Sequence, residues 1–515
     1  MTWRRTLVLA GVAATAMTAA AALAVRDDGG MPRVAVTVDA AHPGGAVPPS
    51  FLGFSLEVPA VADYAGSAAR PNLALAQLLT TLGAVQGSPV ALRIGGNSSD
   101  ESFWAPGAPS RGVRPRTAHY LVGDRWLGRL AWLARVVRSP VTLGANLANR
   151  DPARALAFSR AVRDALPHGA LRTVDIGNEP DLYSRSIAFH AGRVVVRHIA
   201  PRARYDQSRY TADVHRYAAL LSRGLGRDPA LAAGGFGGVA WDAALAPLLR
   251  NERGRIRALS AHAYALDGCP GHAARGKQLR RLFSDAASRG LADGVARMVA
   301  IGRRAGVGVH VTEMNSATCG GVPGISDAFA SALWAPGALF EMARAGVSGV
   351  ALHSWPRAPY APFSFTSSRA GVARAHARPL FYGLLLFAQA AGHGSRLLPT
   401  QVTTDSGVRA WATLTRSGGL RVVAVNPSST SAARVTVAVR GATARPAVLR
   451  LMRAPGLRAQ HGVSLGGRAI GADGRLHGRD RAAAVVPAAG RYAFSLPPAS
   501  AGLLSTASPA GGLGD

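Results

Sequence analysis

The chain has 515 residues, 48% hydrophobic and 17% charged, which excludes an intrinsically disordered protein and is too long for a single compact core. Its formal net charge of +31 would ordinarily point to nucleic acid or anionic surfaces. Lys277 is the only lysine, however, and the arginines are scattered along the whole length without interleaved aromatics, so no nucleic-acid partner is expected, while acidic ligands stay open.

Arg4 and Arg5 precede an apolar run of small residues from Thr6 to Val25, followed by Arg26-Asp27-Asp28-Gly29-Gly30. With Ala22-Leu23-Ala24 as a cleavage site, residues 1–30 read as a signal peptide, or as an N-terminal anchor if uncleaved. The expected location is therefore secreted or cell-surface, with membrane contact only if the leader is retained. Cys269 and Cys319 are the only cysteines. In an exported chain such a pair reads as a disulfide, the alternative being two inert buried thiols, and two cysteines alone cannot build a structural zinc site.

Beyond the leader, Arg33 to Asp39 alternates as a strand, and 42–50 is a Pro/Gly linker. Eight apolar segments then alternate with amphipathic helical patterns, the signature of parallel βα units. The strands are expected at 51–58, 91–96, 141–147, 173–177, 231–236, 256–264, 307–312 and 349–354. Helices are expected at 73–82, 125–137, 152–166, 211–225, 242–250, 290–304, 328–345 and 379–391. Eight units without a Gly-rich phosphate turn after the first strand favour a closed (β/α)8 TIM barrel over an open doubly wound sheet. From about Gly392 the period changes to two. Segments at 408–416, 420–425, 433–439, 447–453, 491–496 and 501–505, separated by Gly, Pro and Ser, predict a C-terminal β-sandwich. The strand near Val34–Val38 has no partner in a barrel and is expected to complete that sandwich. The predicted organisation is thus leader 1–30, joining strand and linker 31–50, α/β catalytic barrel 51–391, β-sandwich 392–508 and frayed tail 509–515.

The fourth barrel strand runs into Asn178-Glu179-Pro180. Pro180 bars the residue before it from the right-handed helical region, so Glu179 is expected in extended geometry at the lip of the strand. The seventh ends in Thr312-Glu313-Met314-Asn315. In a parallel barrel both carboxylates open on the C-terminal face, where they can flank one scissile bond as general acid/base and nucleophile. An isolated Asn-Glu-Pro also fits a solvated loop; the second strand-end glutamate argues against that.

These segments resemble glycoside hydrolase family 79 of the clan A retaining glycosidases, the β-glucuronidase and heparanase group. The matching motifs are Leu92-Arg93-Ile94-Gly95-Gly96-Asn97-Ser98, Asp175-Ile176-Gly177-Asn178-Glu179-Pro180, and Thr312-Glu313-Met314-Asn315-Ser316 running to Cys319-Gly320-Gly321. The order of barrel and β-domain matches too. The resemblance implies Glu179 as acid/base and Glu313 as nucleophile, with Arg93 or a tyrosine hydroxyl keeping Glu313 ionised. It implies Asn178 on the sugar 2-hydroxyl, and the Gly320 and Gly321 amides with Tyr360 on a uronic carboxylate. Glu57, Asn97 and Ser98 are candidates for sugar hydroxyls, and Tyr264 for orienting Glu313. Trp355 could stack on a sugar or pack in the core; Trp104 and Trp241 are ambiguous, and His310 carries no assigned role. The disulfide would fix Gly320-Gly321 in place. The basic insert 185–204 reads either as a wall for an anionic leaving group or as a solvated loop.

The function so implied is a retaining exo-β-D-glucuronidase acting on a glucuronic-acid-containing carbohydrate. An endo-acting, heparanase-like glycosaminoglycan hydrolase and a non-catalytic cell-surface glycan-binding protein are the alternatives. No metal or organic cofactor is implied.

Overall fold

The computed structural model describes residues 30–107, 119–184, 188–191, 194–197, 205–269, 275–368 and 371–507. The predicted leader over 1–29, the side chains of the basic insert 185–204 and the tail 509–515 lie outside the described residues.

A strand at Arg33–Asp39 (β1) precedes eight parallel strands that close into a barrel. In chain order these are β2 (Leu52–Leu56), β3 (Ala91–Ile94), β4 (Val141–Ala145), β5 (Leu171–Ile176), β6 (Ala230–Gly234), β7 (Ile256–Tyr264), β8 (Gly308–Asn315) and β9 (Gly349–Ser354). Each pairs in parallel with its neighbours in sequence, and β9 closes onto β2 from Val350↔Leu52 to Ser354↔Leu56. The helices alternate with the strands as the periodicity predicts, and caps explain their starts. Asn72 accepts from Leu75 N–H before Leu73–Gln86, and Asp151 accepts from Arg154 N–H before Pro152–Ala165, with Pro152 at the first position, where no N–H is needed. The helix expected over 242–250 is divided into a 3-10 turn, Asp242–Ala244, and a helix, Leu245–Asn251. Strand β8 runs three residues beyond its expected end and carries a bulge between Val311 and Met314, while its partner β7 shifts register between Ala261 and His262. Bulges re-aim side chains beside active sites, and these two govern the direction of His262 and Glu313.

The β-domain is two antiparallel-rich sheets. Its strands are β10 (Arg396–Leu398), β11 (Thr400–Thr404), β12 (Arg409–Leu414), β13 (Leu420–Asn426), β14 (Ala433–Arg440), β15 (Ala447–Arg453), β16 (Ser464–Leu465), β17 (Arg491–Leu496) and β18 (Ser500–Thr506). One sheet runs β11-β1-β14-β17, so the N-terminal strand sits between two C-terminal ones, antiparallel to β11 and parallel to β14. The other contains β10-β12-β13-β18-β15-β16. The sequence pattern did not yield β10 and β11: they are short, and Pro399 interrupts them. Val34, Val36, Val38, Val435, Val437 and Val422 fill the inter-sheet core. The β-domain packs on the barrel through Trp411, which stacks on Phe340 at 5.7 Å and donates to Glu341 Oε1 at 2.9 Å. Among the described residues no helix is long and apolar enough to cross a membrane.

Candidate active site

The C-terminal mouth of the barrel holds a cavity of about 420 Å³. Glu57, Asn97, Ser98, Glu179, Tyr264, Glu313, Gly320, Trp355 and Tyr360 all line it. Trp104 and Trp241 do not: Trp104 stacks on Phe158, and Trp241 packs against Tyr210 and Phe236.

Glu179 departs from the expected extended conformation. Its φ and ψ are 44° and 52°, in the left-handed region. Pro180 still bars the right-handed helical region, but the backbone is held elsewhere: Glu179 N–H donates to Gly235 O at 2.8 Å, and Leu182 N–H donates to Glu179 O at 2.9 Å as Pro180–Leu182 turns. A non-glycine residue held there costs on the order of 1–3 kcal/mol, which the surrounding turn must offset. Asp100 anchors that turn. Buried after β3, it accepts from Asn178 N–H (3.2 Å), Tyr183 hydroxyl (2.5 Å), Leu147 N–H (2.8 Å) and Ala148 N–H (3.2 Å).

Glu313 is almost fully enclosed. Arg93 Nη1 donates to its Oε1 at 2.6 Å, and the Tyr264 hydroxyl donates to its Oε2 at 2.7 Å. Arg93 is buried, and its Nη2 also donates to Asn178 Oδ1 at 2.8 Å, so one guanidinium ties β3, β5 and β8 together. Nδ1 of His262 lies 3.0 Å from Glu179 Oε1 and 3.8 Å from Glu313 Oε2. An oxygen of each carboxylate and a ring nitrogen of His262 lie within 4.8 Å of one another. That separation suits a retaining pair, near 5 Å, better than an inverting pair, which leaves about 6.5–9.5 Å for a water. The same three residues have the geometry to hold a cation, but Arg93 already supplies the positive charge that the Glu313 carboxylate would otherwise take from a metal.

Electrostatics divide these groups. Burial pushes the Glu313 carboxyl upward, but the charges of His353, His262 and Arg93 and the Tyr264 hydrogen bond outweigh it and hold it well below the usual carboxylate range. Burial pulls His262 down; Glu313 and Glu179 more than offset this and leave it above the ordinary imidazole value. His353 behaves alike, its burial offset by Glu313 and Glu57, with Nε2 at 3.3 Å from Glu57 Oε1 and Nδ1 at 3.0 Å from Ser55 Oγ. Burial pushes the Tyr360 phenol well above its ordinary range, so it stays a neutral hydroxyl at the wall.

The remaining predicted residues fall into two groups. Glu57, Asn97, Tyr360 and Gly320 face the cavity. Ser98 also lines it, but its N–H and hydroxyl both donate to Glu57 Oε2, so it fixes Glu57. Gly96 lies against the same carboxyl: a Cβ there would stand 2.5 Å from Glu57 Cδ, at a φ of 108°. Two of the predicted residues lie behind the cavity wall. Asn178 is 1% exposed and does not line the cavity; its amide is taken by Arg93 and by Asn97 Oδ1 at 3.0 Å. Gly321 does not line it either, and its N–H donates to Thr318 O at 3.0 Å, closing the turn that presents Gly320. Cys269 and Cys319 are disulfide-bonded with Cα atoms 5.1 Å apart, and both border the cavity beside Gly320.

His262, His353 and Asp100 were not singled out from sequence. A signal for His262 was present: two residues before Tyr264 on one strand, it points to the same face. His353 shares a strand with no polar neighbour of known role, and Asp100 sits in a short helix after β3, so neither had one.

No protein-family model matches the chain. It is similar to a protein from Aspergillus niger named beta-glucuronidase, 26% identical over 311 residues, covering 55% of this chain and 54% of that protein. A second protein of that name, from Neurospora crassa, is 33% identical over 76 residues, covering 15% of this chain and 14% of that protein. The chain thus spans about half the length, or less, of the curated relatives it matches. Among solved structures, a 4-O-α-L-rhamnosyl-β-D-glucuronidase from Fusarium oxysporum 12S superposes with a TM-score of 0.73 at 18% identity, over 91% of this chain and all of that one. At that identity the likeness speaks for the fold: a TIM barrel with a β-sandwich domain.

Proposed function

We propose that the chain is a retaining exo-β-D-glucuronidase acting on a terminal glucuronic acid of a glycoside or polysaccharide. The observation that carries this reading is the approach of Glu179 and Glu313 to within 4.8 Å at one end of the barrel, in two unequal environments. Glu313, ionised and aimed by Arg93 and Tyr264, is the nucleophile at the anomeric carbon. Glu179 gives its proton to the departing oxygen. Water then attacks the glycosyl-enzyme, its proton passing to Glu179, so configuration is retained and both carboxyls return to their starting states.

The choice of a uronic acid is supported by the beta-glucuronidase name of the two relatives and by the wall of Gly320 and Tyr360, a backbone N–H and a neutral hydroxyl on one side of the cavity. The exo mode is supported by the cavity volume of about 420 Å³, near the lower end of the range for small-molecule sites. Export through the N-terminal leader belongs to the same reading.

A panel of aryl glycosides tests it: β-glucuronide against β-glucoside, β-galactoside, β-xyloside and α-arabinofuranoside. Turnover of the glucuronide, with β-glucuronic acid as the first product by NMR, is expected. Preference for a neutral sugar, or release of the α-anomer first, would sink it. Shortening of a glucuronic-acid-containing polymer at internal bonds would replace exo by endo action.

A further inference from the structure

Below the two carboxylates the barrel interior holds a set of polar groups without partners. Nε of Arg93, Oγ1 of Thr312 and Nε2 of His262 are buried without a hydrogen-bond partner, and beside them both oxygens of Asp175 lack a short one, with the Ser260 hydroxyl close enough to lower its pKa. Asp175 is on β5, four residues before Glu179, and is fully buried. The groups are complementary: a carboxyl that accepts, among N–H and O–H groups that donate. Leaving all of them unsatisfied is costly, and proteins fill such places with ordered water. Water has a route. At the opposite, N-terminal mouth of the barrel a well of about 660 Å³ reaches inward to Arg93 and Thr312, past Thr142, Thr173 and His310.

We propose that Asp175 acts through buried water on Nε2 of His262, holding a proton on that nitrogen, and is thereby a positioning residue for the acid/base Glu179. With Nε2 protonated, Nδ1 is the nitrogen left to share a proton with Glu179 Oε1, 3.0 Å away. The pair then keeps the proton that the leaving oxygen needs. It gives it up on glycosylation and regains it from water on deglycosylation, with no net change. The charged and titratable groups facing this pair are Glu313, Arg93 and Asp175, and those facing Asp175 include Tyr210 on the helix Gln207–Leu225. Tyr210 accepts from Gly234 N–H at 2.8 Å and keeps its own O–H to donate, so in this buried set Asp175 is the carboxyl that can accept from Nε2–H. Burial raises the Asp175 pKa, and the Arg93 charge, the Ser260 hydroxyl and the His262 charge beside it oppose that rise. The proposal rests on the retaining reading above.

Asp175→Asn tests it, because the amide can donate where the carboxyl accepts and so favours the wrong tautomer, with Nδ1–H donating to an ionised Glu179. The expected result is an alkaline limb of kcat displaced to lower pH by about one unit, and a fall of about 100-fold for methyl β-glucuronide. A dinitrophenyl glucuronide, whose leaving group needs no proton, should fall less than about threefold. Parallel losses on both substrates with an unmoved alkaline limb would overturn the proposal. If the variant does not fold, 15N-histidine NMR of the wild-type protein decides: Nε2–H on neutral His262 supports it and Nδ1–H overturns it. A wild-type enzyme that hydrolyses neither glucuronide refutes the functional reading instead, and the tautomer measurement still judges Asp175.

Discussion

Arg93 Nη1 stands 2.6 Å from Glu313 Oε1, although 220 residues separate them in the chain, and both side chains are almost wholly enclosed. Two charges taken out of water cost more than their attraction returns unless further hydrogen bonds satisfy the remaining donors; here Nη1 and Nη2 of Arg93 also reach Ser55 Oγ and Asn178 Oδ1, while its Nε has no protein partner. Removing either partner leaves a buried charge uncompensated. Arg93→Met is therefore expected to lower stability by roughly 3–5 kcal/mol, read as a shift in the urea midpoint. An unchanged midpoint would mean that Glu313 is neutral in the folded protein.

The same pair fixes an acid-side dependence. The Glu313 pKa is depressed on folding, so its contribution is present above the unfolded value, near 4.5, and is lost as pH falls toward the folded one. His262 and His353 are raised, so theirs is full below about 6.5 and is lost as pH rises through their folded values. Urea midpoints measured from pH 3 to 9 should pass through a maximum between these limits. In Glu313→Gln both flanks should flatten, because both histidines lose their largest favourable partner.

The two carboxyl roles are separable by leaving group. Glu313→Gln should lose activity by about 10⁴-fold or more on every β-glucuronide. Glu179→Ala should spare substrates with activated leaving groups in their first half-reaction, accumulate glycosyl-enzyme, and recover with azide as a small external nucleophile. Burst kinetics and identification of a β-glucuronyl azide product check this. Azide rescue of a Glu313 variant to an α-product would confine nucleophile duty to Glu313; rescue to a β-product would reverse the two assignments.

The barrel could be read from sequence because its strands are buried on both faces and appear as unbroken apolar runs between amphipathic helical patterns. The meeting of Glu179 and Glu313 was legible for a related reason: strand ends on a parallel barrel share one mouth. What stayed hidden is what depends on side-chain direction. Neither the left-handed turn at Glu179 nor the bulge before Met314 has a local sequence signature, since each is set by hydrogen bonds to distant backbone. The partners of Asn178 and Gly321 were equally hidden: in the folded chain their N–H groups and the Asn178 amide meet Arg93, Asn97, Asp100 and Thr318.

The disulfide should matter to binding as well as to stability. Cys269–Cys319 closes a loop of 50 residues, worth about 4 kcal/mol in the chain-entropy model, and flanks the Gly320 turn. The double variant Cys269→Ser, Cys319→Ser is expected to melt earlier and to raise KM for a glucuronide several-fold, with kcat much less affected. Equal loss in both constants would place the bond's role outside the carboxylate wall.

Glycine 96 offers the sharpest geometric test. Its φ of 108° is open to glycine alone at little cost, and an added Cβ would fall 2.5 Å from the Glu57 carboxyl carbon. Glu57 cannot retreat freely, since Ser98 N–H and hydroxyl hold its Oε2 and His353 Nε2 stands 3.3 Å from its Oε1. Gly96→Ala should therefore displace Glu57 and carry His353 with it. Because His353 is one of the charges that keep Glu313 ionised, the acid limb of kcat/KM should move to higher pH, along with a loss of at least about tenfold at neutral pH. Glu57→Gln keeps the shape and removes the charge, and so separates the two effects: His353 loses a partner that raises it, while the cavity wall stays where it was. An acid limb that moves in the alanine variant and not in Glu57→Gln assigns the coupling to position; movement in both assigns it to charge.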